Sequence, residues 1–274
     1  MSVNPELRTL DIDIPSQPQS LVQLSLLLAE EDINLQAAAT LIEGDMALAA
    51  AVMKAVNSSL YGLKGRVQSA QQAITYLGMR EVAAITFELG LRAAFPPALE
   101  LEPIWQRAAR RGLLMGRLAN KLALDAWAAH SAGLFEECGK AVLFRHAPDH
   151  YRSMLRAASS DTELASLEHA GFGVSHDALG AALCESWGLG AAAVTSVRHH
   201  VVALATHQLP ELPITRRSIC TLSVLVNTLD ARDDALDEVA RVMAPQADLD
   251  AGLVLRALRQ IHEQLASATA NGRD

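Results

Sequence analysis

Aromatic side chains are scarce in this 274-residue chain, at 4% of the total, although half of its residues are hydrophobic. Ala and Leu carry the apolar content, and these are helix formers rather than strand formers. No segment sustains the alternation of a strand, so an all-α fold is expected. Cysteine is scarce too. Cys138, Cys184 and Cys220 stand far apart with no CxxC pair, which argues against a disulfide framework and a cysteine-rich zinc site. No apolar run approaches the roughly 18 residues of a membrane span, and the start MSVNPELRTLDIDIP lacks the basic and apolar regions of a signal peptide. A soluble, cytoplasmic protein without membrane contact is expected. Basic residues are outnumbered, 23 against 31, for a net charge of −8, so phosphate backbones would repel the chain and nucleic acid is not an expected partner. The sequence also lacks GxSxG, GxxxxGK[ST], HExxH and a glycine-rich turn after a strand, removing the local signatures of serine hydrolases, phosphate-loop enzymes, zincins and dinucleotide binders.

What is present is helical periodicity. Leu21, Leu24, Leu27 and Leu28 form one apolar face, and Leu35, Ala38, Ala39 and Ile42 form another after Asn34. Asp45 is placed to cap a third helix, which ends at Asn57-Ser58-Ser59 before a loop at Tyr61-Gly62. Ser69 and Gln72 have capping-box spacing, with Gly78 placed to end that helix. Pro96-Pro97 marks a lobe boundary near Ala98, because neither residue donates a backbone hydrogen bond. Beyond it, Pro103 starts a long helix, and further helices are expected at 132–145, 148–158, 191–205, 215–229 and 249–266, with Ser175 capping one that ends at Trp187-Gly188.

Nine histidines invite a metal reading. His130, His146, His150, His169, His207 and His262 fall at helix ends or polar faces, where a solvated imidazole is the ordinary state. His176, His199 and His200 are the exceptions. Adjacent helical residues point about 100° apart, so only one of His199 and His200 can join His176. Two imidazoles make a poor metal site, and Glu136, Glu137 or an unidentified residue would have to complete it. Arg107, Arg110 and Arg111 form a basic stripe that suits water or an anion, with water favoured. Cys138, beside two glutamates, is expected to be a buried structural thiol.

The runs Ile42-Glu43-Gly44-Asp45-Met46-Ala47-Leu48, Val56-Asn57-Ser58-Ser59-Leu60-Tyr61-Gly62 and Ser69-Ala70-Gln71-Gln72-Ala73-Ile74, with Trp105, Gly139-Lys140, Gly171-Phe172, His176, Trp187-Gly188-Leu189 and Val197-Arg198-His199-His200, resemble the HDOD family of bacterial signalling proteins. The resemblance implies an N-terminal helical lobe, 14–98, packed on a lobe related to HD-type metal-dependent phosphohydrolases, 99–268, the latter with a C-terminal helical extension. It also implies a degenerate metal site. The superfamily's first metal histidine falls on Arg107, its His-Asp pair on Glu136-Glu137 and its last aspartate on Asn227, so His176 and one of His199 or His200 remain. A guanidinium has no lone pair for a metal and keeps its charge, so no metal and no cofactor are expected. An ion pair from Arg107 to Glu136 or Glu137 is expected in its place.

The leading expectation is a non-enzymatic regulatory module, a pseudoenzyme that acts through a protein partner of a signalling pathway. The alternative is a metal-dependent nucleotide phosphohydrolase or phosphodiesterase that uses Glu136 and Glu137 as altered ligands. A third reading is a metal-free pocket for a nucleotide or anion, held by Arg107, Arg110 or Arg198.

Overall fold

A computed structural model describes residues 12–28, 30, 32–58 and 65–270. Ser59, Leu60, Tyr61 and Gly62 lie outside the described residues. Among those described, every regular element is helical. They divide into two compact units, one of Ser16–Ala94 with the chain from Gln260, the other of Phe95–Arg259 with the chain up to Pro15. The observed division precedes the double proline rather than following it, and the end of the last helix groups with the first unit.

The first unit contains α1 (Gln19–Leu28), α2 (Leu35–Gly44), α3 (Met46–Val56), α4 (Ala70–Leu77) and α5 (Met79–Ala93). Their boundaries follow local chemistry. Asn34 and Asp45 accept hydrogen bonds from Ala37 N and Leu48 N, capping α2 and α3. Ser69 caps α4 by accepting from Gln72 N, while Gln72 Oε1 accepts in return from Gln68 N rather than from Ser69 itself. Gly78, at φ +84°, ends α4 in a conformation that costs other residues dearly. Asn57 bonds the end of α3 to Val67, donating to Val67 O at 2.8 Å and accepting from Val67 N at 3.2 Å. Leu21, Leu24, Ile42, Val52, Phe87 and Leu91 are wholly buried or nearly so, each contributing about 1.5–3 kcal/mol through burial.

The second unit contains α6 (Glu102–Lys121), α7 (Ala126–Phe135), α8 (Cys138–His146), α9 (Pro148–Ala157), α10 (Asp161–Phe172), α11 (His176–Ser186), α12 (Ala191–Thr206), α13 (Ile214–Ala231) and α14 (Leu236–Met243). A last helix, α15 (Ala251–Ala270), divides between the units after Arg259. The single helix expected over 132–145 is two, because α7 stops at Phe135 and α8 starts at Cys138. Glu136 and Glu137 occupy the joint, and both are buried. Helices α6 and α7 pack together, as do α8 with α11 and α11 with α12. Glycines permit this approach: a Cβ on Gly139 would stand 1.9 Å from the His176 carbonyl oxygen, and one on Gly133 would stand 2.8 Å from the Arg111 backbone. Trp187 anchors the start of the unit by donating from Nε1 to Pro15 O at 2.9 Å. All three cysteines are free and buried. Burial drives the Cys138 thiol far above its ordinary range, so it stays protonated. Among the described residues, no helix is long and apolar enough to cross a membrane.

Candidate functional site

The joint between α7 and α8 drives two carboxylates into the core, and the surrounding helices answer with cations. Arg107, on α6, donates from Nε to Glu137 Oε2 at 2.9 Å and from a terminal nitrogen to Oε1 at 3.2 Å. The expected Arg107 ion pair is present, and its partner is Glu137. Lys140, in the first turn of α8, donates to Glu137 Oε1 at 2.8 Å and to Asp161 Oδ1 at 2.7 Å. Burial alone would raise the Glu137 carboxyl, but the charges of Lys140, Arg111 and Arg107 reverse this and hold it well below the usual carboxylate range. Burial likewise opposes the Lys140 ammonium, yet Glu137 and Asp161 keep it charged with a raised pKa.

Glu136 meets a different cation. Arg111 Nη1 lies 3.1 Å from its Oε2, with the arginine side chain 7% exposed. The sequence placed Arg111 on a solvated stripe, which the structure corrects. Helix α6 is covered by α7 on the side that carries Arg111, and only Arg107 and Arg110 stay near the surface. Arg110 pairs with Asp230 at 3.0 Å. From α13, Ser223 donates its hydroxyl to Glu136 Oε1 and Asn227 donates to Oε2 at 3.0 Å, so Asn227 does reach this cluster. Both oxygens of each glutamate are therefore engaged.

His176 and His200 form the second half of the cluster, with ring centroids 5.4 Å apart. His199 stands apart on the same helix, half-buried, and His200 is the member of the pair that faces His176. Glu168 Oε2 accepts from both the backbone nitrogen and Nδ1 of His176, each at 2.7 Å. This carboxylate, rather than Ser175, satisfies the first amide of α11, because the Ser175 hydroxyl turns to Asp177. Tyr151 fixes Glu168 in turn, donating to Oε1 at 2.6 Å. His200 Nδ1 lies 2.7 Å from Val197 O. Burial lowers the His200 pKa against the opposing pull of Glu136, which favours the neutral ring. Arg198, about half exposed, pairs with Asp177. His130, expected in solvent, is buried, packed against α6 where Gly112 and Gly116 leave room for its ring.

The sequence reading passed over Asp161, Glu168, Tyr151 and Ser223. Asp161 and Glu168 stand seven apart and so share one face of α10, but nothing local distinguishes them from solvated acids. A cleft of about 320 Å³ lies beside the cluster, lined in part by Arg107, Lys140, Ser159, Ser160 and Asp161.

These residues do not fit the metal centre that HD-type phosphohydrolases would place here. The guanidinium of Arg107 stands where the resemblance expects the first histidine and has no lone pair to give, and the two glutamates spend their oxygens on Arg107, Arg111, Lys140, Ser223 and Asn227.

The sequence matches the family described as HDOD domain over residues 14–202. An uncharacterized protein of Treponema pallidum (strain Nichols) is 26% identical over 205 residues, which cover 73% of this chain and 39% of that protein. The matched region is thus well under half the length of that curated relative. Among solved structures, a signal transduction protein of Marinobacter aquaeolei VT8, so described as a candidate assignment, superposes with a TM-score of 0.75 at 22% identity, covering 99% of this chain and 67% of that one. A candidate phosphohydrolase of Shewanella amazonensis SB2B gives 0.72 at 18% identity, covering 97% of each chain. An HDOD domain protein of unknown function from Geobacter sulfurreducens gives 0.66 at 20% identity, covering 96% and 94%. At these identities the likeness shows the fold alone. With the family match spanning most of its length, the chain belongs to the HDOD family.

Proposed function

We propose that this HDOD protein is a non-hydrolytic regulatory module that acts in signal transduction by contacting a protein partner. One observation carries the reading: the Arg107–Glu137 and Arg111–Glu136 pairs neutralise, from within the chain, the two carboxylates that stand where the resemblance expects metal ligands. An arginine cannot polarise a phosphoryl oxygen as a Lewis acid does, nor can it generate a bound hydroxide. The description of the Marinobacter structure as a signal transduction protein agrees with this reading. The pairs need add little to stability, because desolvation offsets much of their Coulomb attraction, but they avoid isolated buried charge.

The test is hydrolysis of a panel of nucleotide phosphoesters and phosphodiesters by the purified full chain with added Mn²⁺ or Mg²⁺. It is joined to size analysis of the protein isolated from its native cell. Turnover indistinguishable from the blank, with elution in a complex of fixed stoichiometry with another protein, is expected. Phosphoester turnover that Glu136→Ala abolishes, from a chain that elutes alone, would overturn the reading.

A further inference from the structure

Helix α1 is apolar on more sides than the described residues cover. Its Leu21 and Leu24 are wholly buried, yet Val22 is 39% exposed and Leu26 66%. The sequence of the helix, QSLVQLSLLL, contains no charged residue. A helix at a protein surface normally turns charged side chains outward, and one that is apolar all round is normally covered. Between α1 and α2 runs a groove of about 660 Å³, lined by Leu26, Leu27, Ala37 and Leu41. The rest of its lining is polar, and Glu30 alone among the lining residues is charged. The surrounding segment is equally one-sided. From Ile14 to Met53 the sequence has Glu30, Glu31, Asp32, Glu43 and Asp45 but no Lys, Arg or His.

We infer that this groove docks an amphipathic helix of the protein partner, with leucine-like side chains on one face and Lys or Arg beside them. The inference rests on the reading of this protein as a partner-binding module and names the surface and its chemistry. A helix suits an apolar groove because its backbone groups are already hydrogen-bonded to one another, so docking leaves none of them unpaired. Side chains spaced at i, i+4 and i+7 would cover Leu26, Leu27 and Leu41. Flanking cations would meet Glu30 and the exposed Asp32, and neither α1 nor α2 carries a cation to compete. The same charge opposes two other occupants. A second copy docked face to face would set one acidic rim against another, and an anionic lipid surface would be repelled.

The test follows the anisotropy of a labelled synthetic peptide of roughly 18 residues, with Leu at helical spacing on one face and Lys elsewhere, as the full chain is added. One control peptide replaces every Lys with Glu, and another scrambles the Leu positions at the same composition. The Leu-Lys peptide is expected to bind with a micromolar Kd and turn helical, at least about tenfold tighter than either control. Leu26→Gln should weaken binding by about 10–30-fold, because an exposed leucine then loses its cover. Glu30→Gln should weaken it by about 2–5-fold at low salt and leave it unchanged near 1 M salt. Both positions are exposed, so the circular dichroism of the parent is expected in each variant. Hydrogen exchange on the unaltered chain decides the matter if a variant misfolds: the peptide should slow exchange within 19–44. Equal binding of the Lys and Glu peptides, affinity indifferent to Leu26→Gln, or protection confined to other segments would each overturn the docking site. So would a dimer of the chain, or adhesion to phosphatidylcholine vesicles, that Leu26→Gln abolishes. A native complex of fixed stoichiometry that survives Leu26→Gln would overturn the groove and leave the regulatory reading intact. Phosphoester turnover would sink that reading and leave the peptide result standing.

Discussion

Arg111 shows how much one buried charge depends on its partner. Its guanidinium is almost wholly enclosed and faces Glu136 at 3.1 Å, and Glu136 has no exposure at all. Removing the cation leaves a carboxylate in the core with only Ser223 and Asn227 to bond it. Arg111→Met should therefore destabilise the protein by about 3–5 kcal/mol in urea unfolding. Adding Glu136→Gln to that variant should recover part of the loss, because the stranded charge is then gone. Additive losses in the double variant would show that the pair is not coupled. The sequence pointed at Arg107 and the two glutamates but sent Arg111 to solvent. A stripe of arginines three and four apart looks the same in sequence whether or not a neighbouring helix covers it.

Helix ends were the most legible elements, since caps are set by side chains within a few residues of the backbone groups they satisfy. Asn34, Asp45, Ser69 and Gly78 act locally, and each does what its position implies. The break at Glu136-Glu137 was not legible, because helical periodicity continues across it. Nor was Glu168 as the cap of α11, because that carboxylate arrives from another helix. Close packing of α8 on α11 rests on Gly139, where a methyl group would overlap the His176 carbonyl. Gly139→Ala should cost roughly 3 kcal/mol or more and shift the α11 backbone that carries His176. A thermal melt unchanged from the parent would show that the helices separate freely. The same approach places Lys140 between Glu137 and Asp161, so the substitution should also perturb those two ion pairs.

Across the whole molecule, the two units carry opposite responses to pH. In the first, burial raises the Glu88 carboxyl to about 7 against the pull of Arg92, from an ordinary 4.5. A group whose folded pKa is raised contributes stability below its unfolded pKa and loses it as pH climbs through the folded value. Between pH 4.5 and 8 this should remove about 3 kcal/mol from the unit that contains α5. In the second unit, Glu137 and Asp161 are depressed, burial being outweighed chiefly by Lys140, so their contribution is present above the ordinary carboxylate pKa and lost as pH falls toward their lowered values. All three tryptophans, Trp105, Trp127 and Trp187, lie in the second unit, whereas circular dichroism reports both. At pH 8 the dichroism transition in urea should begin below the fluorescence transition, and Glu88→Gln should bring the two together. Coincident transitions in the parent at pH 8 would contradict this assignment.

The sequence by itself determined the all-helical class, most helix starts and the HDOD family. Periodicity, capping and motif spacing act over a few residues and survive without knowledge of the packing. It also showed that Arg107 cannot ligate a metal where the resemblance expects a histidine, since residue identity alone decides whether a lone pair exists. Only the tertiary structure decided that Arg111 is buried, that Glu137 rather than Glu136 receives Arg107, and that Asp161 joins His176 and His200. Those outcomes depend on which helix faces meet across distant stretches of chain, and no local pattern encodes such a meeting.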